Sequence, residues 1–222
     1  MHKIEIKGAI VSNDLKEVYD FYGMDSTCPK DVVNALEKAK GEPVVTEINS
    51  GGGDVFAGSE INTLLSSYSG KVTQNIIFAA SAASVIAMAG ESYIAPTGMM
   101  MIHNVSCSSK GDHNKMRHTS EMLEKANKAV ANAYVAKTGK SVEEALSLME
   151  AETWFTAKEA KEHGLVDWIM FEESNNNVQL VASLNNILPK ELIDKYYLNK
   201  SKNDSILKAK CELEYLKLGV IK

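Results

Sequence analysis

The stretch Phe78-Ala-Ala-Ser81-Ala-Ala-Ser84-Val-Ile-Ala-Met-Ala-Gly90, followed by Glu91-Ser-Tyr-Ile-Ala-Pro-Thr-Gly98 and Met99-Met-Met-Ile-His103, decides how this chain reads. It comes straight after the β-favouring run Val72-Thr-Gln-Asn-Ile-Ile77, so Ser81 stands at a strand-to-helix junction. A serine there has an exposed hydroxyl and, beside it, the free N–H groups of the first helical turn, which is how a nucleophile is presented. Serine is also a favoured helix cap, and taken alone the stretch reads first as a capped, buried helix.

Outward from this centre the chain alternates strands and helices. Lys3 to Val11 and Pro43 to Ile48 are predicted strands, with a helix over Asp31–Ala39 between them. The second strand is expected to break into Asn49-Ser-Gly51-Gly52-Gly53-Asp54 before a helix over about Val55–Ser67 that turns Val55, Ile61, Leu64 and Leu65 to a core. After the Ser81 helix, two short strands are expected near Tyr93 and over Met99–Ile102. Strands separated by helices at this spacing imply parallel pairing through crossovers, hence an α/β fold. Asn104–Asn114 reads as a loop or exposed hairpin, and Lys115–Lys137 as a long helix with Met122, Leu123, Ala126, Ala129, Val130, Ala133 and Tyr134 on one side, closed by Gly139. Capping patterns at Ser141 and Thr156 open two further helices, and Gly164–Ile169 returns as a strand. Beyond Glu172 the composition changes: Ser174–Asn177 reads as a linker. A lysine-rich helical tail follows, its Ile206, Ala209, Leu213, Leu216 and Val220 spaced as in a coiled-coil seam or a packed helix.

Bulk properties exclude several classes. With 24 basic and 29 acidic residues the net charge is −5, and no basic block marks a nucleic-acid partner. Cys28, Cys107 and Cys211 are scattered and odd in number, suggesting neither a disulfide framework nor a metal site, and no cofactor motif is present. The amino-terminal Met-His-Lys-Ile-Glu-Ile-Lys alternates charge and apolarity, and no uncharged stretch approaches a membrane span, so a cytoplasmic protein without membrane contact is expected.

Serine hydrolysis needs a nucleophile, a base, a group that orients the base, and donors for the oxyanion. Ser81 and His103, 22 residues apart, supply the first two, because His103 is the one histidine of five held by flanking core residues. The glycines at 51–53 follow a strand and precede a helix, so they either form a tight turn or aim backbone N–H groups at the site. They do not form a phosphate loop, since Gly53–Gly58 is followed by Ser59-Glu60 where lysine would be required.

Four motifs in order, Asn49-Ser-Gly-Gly-Gly-Asp-Val-Phe-Ala-Gly58, Ala79–Gly90, Met101-Ile-His103 and Thr153-Trp-Phe-Thr-Ala-Lys-Glu-Ala-Lys-Glu-His-Gly-Leu-Val-Asp167, resemble the ClpP peptidase family, and within it the phage head-maturation (prohead) protease type. The resemblance covers about Lys3 to Ile169 and implies a ClpP/crotonase-like β-α spiral over residues 1–171. A protruding handle helix (about 104–137) and an extra linker and helical tail (172–222) complete the expected architecture. Carried over by motif, it implies Ser81 as nucleophile, His103 as base, and the N–H groups of Gly53 and Ala82 as the oxyanion hole. The triad acid falls on Glu152 where the family has aspartate; Asp167 is the alternative, and Ser84 the rival nucleophile. Gly51 stands where proline is usual, which predicts a looser loop.

The resemblance further implies a serine endopeptidase acting on polypeptides, without cofactor or metal, in a homo-oligomeric ring of seven or fourteen subunits. The phage-type spelling points to processing of capsid or scaffold proteins in head maturation, in a bacterial host cytoplasm. The alternative is a host-type Clp proteolytic subunit working with a separate ATP-dependent unfoldase. An acyl-CoA enzyme of the same superfold and a non-catalytic assembly protein are the rivals from other classes.

Overall fold

The computed structural model describes residues 2–172, and the linker and tail expected beyond Glu172 lie outside them. The chain is mixed α/β, built on a seven-stranded sheet of order β2-β1-β3-β4-β5-β6, with β7 also on β5. The strands are β1 (His2–Ile10), β2 (Ser26–Thr27), β3 (Val44–Gly53), β4 (Val72–Ala80), β5 (Glu91–Ile102), β6 (Thr153–Thr156) and β7 (Trp168–Ile169). All pairs are parallel except β5 with β6, so the expected parallel pairing holds through the centre of the sheet.

Two rows of side chains across β1, β3, β4 and β5 fix the register. Ile6, Ile48, Ile76 and Ile94 pair in line and none has any exposed surface. Burying such a side chain stabilises by about 1.5–3 kcal/mol, and a slip of one residue would turn the whole row outward. Two residues earlier lies a second row, Ile4, Thr46, Gln74 and Ser92, whose three polar members are buried and hydrogen-bonded. Beyond the isoleucines the register shifts at each junction, between Lys7 and Ala9, at Ile77, and across Ala95–Gly98. Bulges of this kind re-aim strand ends, and Gly53, Ser81 and His103 all lie beyond them.

The helices follow their sequence signals. In α2 (Pro29–Ala39), Pro29 starts the first turn, Asp31 completes a capping box, and Val32, Leu36 and Ala39 are buried. Helix α3 (Val55–Ser66) is capped by Asp54, whose carboxylate accepts from Phe56 and Ala57 N–H, and it buries Ile61 and Leu65. Helix α4 (Ala82–Ile86) is a five-residue turn, buried throughout. Helix α5 runs from His113 to Thr138 and ends on Gly139 in the left-handed conformation; α6 (Val142–Glu150) and α7 (Ala157–Glu162) are capped by Ser141 and Thr156.

Several details differ from the sequence reading. The segment Asn49–Gly53 does not break from its strand; β3 continues through it, because the bulge opposite Lys7–Ala9 absorbs the glycines. The two strands expected around Tyr93 and Met99 are one strand, interrupted only in pairing by the Ala95–Gly98 bulge that accommodates Pro96. Helix α1 (Lys16–Phe21) and β2 were not anticipated; α1 buries no residue, so it carries no periodic apolar signal. The residues between His103 and Asp112 form no strand, so this segment is a loop and not a hairpin. The apolar side expected for α5 is buried only near its end, at Val130, Ala131 and Tyr134, while Met122 and Ala129 are exposed.

Candidate active site

Ser81 follows β4 directly and turns the chain at φ 55°, ψ −126°, a conformation that side-chain-bearing residues rarely adopt. Such strain costs of order 1–3 kcal/mol and persists only where the surroundings hold it. Here the Ser81 N–H donates to Met101 O at 2.9 Å, and the Ser81 carbonyl accepts from Ser84 N–H at 2.9 Å and Ser84 Oγ at 2.6 Å. Its side chain makes no capping bond; Ser81 Oγ lies 2.7 Å from His103 Nε2 instead. The bland alternative, a serine that caps a buried helix, therefore does not describe this residue.

His103 sits one residue past β5, and the loop after it is latched by Asn127 Oδ1, which accepts from Val105 N–H at 2.7 Å. The short helix α4 is held from behind: Asn62 Nδ2 donates to Val85 O at 2.7 Å, and Gln74 Nε2 to Ala89 O and, at 3.3 Å, to Ile86 O. These add side-chain donors to the carbonyls of Val85 and Ile86, which already accept from Met88 and Ala89 N–H, and supply one to Ala89 O at the end of the turn. At the other end of α4 the Ala82 N–H has no partner among the described residues. Gly53 lies nearby with φ 149°, and a Cβ there would come within 2.1 Å of Ile10 O, so only glycine fits.

Glu152 lies in the turn between α6 and β6 at φ 48°, left-handed and exposed, one step beyond the Thr153–Ile102 pair of the antiparallel β5–β6 ladder. Continuing that register sets Glu152 across from His103, though no hydrogen bond joins the two. Asp167 lies at the opposite end of β5, where its carboxylate accepts from Ser92 N–H at 2.7 Å and pairs with Lys137. Burial alone would raise its pKa, but the Lys137 ammonium and the Ser92 N–H outweigh that and hold it below the ordinary 3.8. It is committed there and cannot reach His103.

Ser84, the rival nucleophile, is fully buried and spends its hydroxyl on the Ser81 carbonyl and on Tyr134 Oη, 2.9 Å away. The sequence reading missed this contact: Tyr134 was legible only as an apolar-side residue of α5, and its partner lies 50 positions earlier. Ser81, Ala82, Gly53 and His103 open onto one cavity of about 260 Å³, walled by Val55, Phe56, Val85, Val105, Val130 and Tyr134 together with the polar Asp54, Asn104 and Ser106. A hydroxyl and an imidazole in contact, beside an N–H with no partner among the described residues and a cleft of mixed polar and apolar lining, can transfer an acyl group. Among the described residues no group of three or more His, Cys, Asp or Glu side chains is arranged for a metal ion, and no helix is long and apolar enough to cross a membrane.

The Clp protease family model matches residues 24–173. The ATP-dependent Clp protease proteolytic subunit 1 of Chlamydia abortus is 34% identical over 138 residues, 59% of this chain and 71% of its own. That of Chlamydia muridarum is 29% identical over 185 residues, 77% of this chain and 94% of its own. The ATP-dependent Clp protease proteolytic subunit 2 of Tropheryma whipplei is 28% identical over 162 residues, 71% and 89% of the two chains. With a family match spanning more than half of its length, this chain belongs to the Clp protease family.

Proposed function

We propose that this chain is a proteolytic subunit of the Clp type, a serine endopeptidase whose nucleophile is Ser81. The observation that carries the reading is the 2.7 Å contact between Ser81 Oγ and His103 Nε2 at a strained turn. In this mechanism Ser81 Oγ attacks the scissile carbonyl as its proton passes to His103 Nε2. The oxyanion is held by the N–H groups of Ala82 and Gly53. His103 then protonates the leaving amine, and an ester on Ser81 remains. Water, deprotonated by the same imidazole, attacks the ester, releasing the acid and restoring Ser81. Glu152 orients the imidazole by accepting from Nδ1–H. A glutamate kept in a left-handed backbone that favours glycine or asparagine supports a role for its carboxylate.

Residues 1–171 form the peptidase domain in this reading, with 104–137 as the handle between stacked rings and 172–222 as an appended linker and tail. The subunits close into a ring of seven or two such rings in a bacterial cytoplasm, segregating Ser81 from folded proteins. The relatives are named as subunits of an ATP-dependent protease. That favours the host-type alternative, with a separate ATP-driven unfoldase, over capsid and scaffold processing in phage head maturation.

The test is hydrolysis of a fluorogenic peptide and of a folded protein by the full chain, with and without a Clp ATPase and ATP. The proposal expects peptide cleavage by the chain alone, loss in Ser81→Ala, and cleavage of the folded protein only with ATPase. Cleavage of assembled scaffold protein without ATPase returns the head-maturation reading. Absence of any hydrolysis favours the non-catalytic assembly protein.

A further inference from the structure

Resting on the reading of Ser81 as nucleophile, we propose that Tyr134 and Ser84 form a positioning relay that fixes the direction of the Ala82 N–H, the oxyanion donor next to the nucleophile. The carbonyl of Ser81 and the N–H of Ala82 belong to the same planar trans peptide and so point in opposite directions. Whatever anchors the carbonyl aims the N–H. Ser84 Oγ donates to that carbonyl at 2.6 Å, Ser84 N–H at 2.9 Å, and Val85 N–H at 3.4 Å.

A serine hydroxyl has one proton, and the Ser84 proton goes to the Ser81 carbonyl. The 2.9 Å contact between Ser84 Oγ and Tyr134 Oη is therefore donated by Tyr134. The protons run in one direction, from Tyr134 to Ser84 to the Ser81 carbonyl, and each bond in such a chain strengthens the next. Burial pushes the Tyr134 phenol up to about 12, so the donor keeps its proton. Both hydroxyls are buried, with Ser84 fully enclosed and Tyr134 only 2% exposed. Tyr134 belongs to the one part of α5 that is buried. The relay thus ties a long helix to a five-residue turn, α4, that could not hold a strained start by itself.

The two residues are positioning residues: neither touches the reacting atoms. The test measures peptide hydrolysis, affinity for a peptide boronate that forms a tetrahedral adduct, and the midpoint of thermal unfolding. The variants are Ser81→Ala, Ser84→Ala, Tyr134→Phe and the double variant Ser84→Ala/Tyr134→Phe. Complete loss of an oxyanion donor costs about 10²–10³ in kcat, and mis-aiming one is expected to cost less, about tenfold for Ser84→Ala and about threefold for Tyr134→Phe. KM should stay within about twofold, and boronate affinity should fall in step with kcat.

The double variant separates positioning from packing. Ser84→Ala leaves a buried phenol without a partner, and removing that phenol should recover the lost stability. The relay predicts that kcat nevertheless stays at the Ser84→Ala level, because Tyr134 acts only through Ser84. Recovery of kcat together with stability, a further fall in kcat on adding Tyr134→Phe, or a rise in KM at constant kcat would each overturn the proposal. Retained hydrolysis in Ser81→Ala would instead remove the reading on which it rests.

Discussion

The two ends of β5 carry the same kinds of group and use them in opposite ways. At its start Asp167 accepts from both the N–H and the hydroxyl of Ser92 and pairs with Lys137, whose ammonium also reaches Gly90 O at 2.9 Å. At its end, among the described residues, His103 makes one hydrogen bond, to Ser81, beside an Ala82 N–H without a partner and a cavity of about 260 Å³. Polar groups that are all engaged hold elements together, whereas open ones beside a cleft are free to act on a ligand. An acid, a serine and a basic side chain therefore do not by themselves make a reactive site. What separates the two clusters is whether valences are left over.

Substitutions that exchange the character of the two ends test this contrast. The largest effect is expected from Gly53→Ala, whose Cβ would meet Ile10 O at 2.1 Å. Peptide hydrolysis should fall at least about 10²-fold, with a lower unfolding midpoint, and unchanged kcat would deny the glycine any part in the open end. Glu152→Gln keeps the shape and removes the charge. A kcat lowered about 10- to 100-fold at constant KM is expected if the carboxylate orients the imidazole, and wild-type turnover would leave a two-residue site.

At the saturated end, Lys137→Met should lower stability by about 1–2 kcal/mol in urea titration and leave kcat per folded molecule unchanged. The pH dependence carries its own sign. The Asp167 pKa is depressed in the folded state, so its contribution is present above the ordinary 3.8 and lost as pH falls below it. Acid titration of the wild type should show that loss and Lys137→Met should show less of it; an identical acid transition would mean that the pair holds nothing. The smallest effect is at Gly51, which has no positive φ and whose added Cβ would find only the Phe78 ring, at 3.9 Å. Gly51→Ala should stabilise by ~0.4–1 kcal/mol, because alanine restricts the unfolded chain more than glycine does. A lowered unfolding midpoint would show that Gly51 is constrained as Gly53 is.

Much of this layout was legible from residue order. The strand and helix alternation, the Ser81 junction and the return of the chain at His103 all rest on local patterns of the kind that sequence records. The unread parts are those set by distant partners. The glycines at 51–53 read as a turn because nothing local reveals that Ile10 and Lys7 extend β3 through them. Helix α1 escaped notice because it buries no side chain and so leaves no periodicity. Ser84 reads as a second candidate nucleophile until Tyr134, 50 residues later, takes up its oxygen. Likewise Asp167 reads as a possible triad acid, and only the fold carries it to the wrong end of β5.

The central claim is that the strained serine at position 81, paired with His103, is the reactive nucleophile. The most direct measurement is labelling of the intact chain with a fluorophosphonate, followed by mass spectrometry of its peptides. The account predicts a single adduct on Ser81, absent in Ser81→Ala, strongly slowed in His103→Ala and still formed in Ser84→Ala. An adduct on any other residue, or none in the wild-type protein across the pH range where it stays folded, would contradict it.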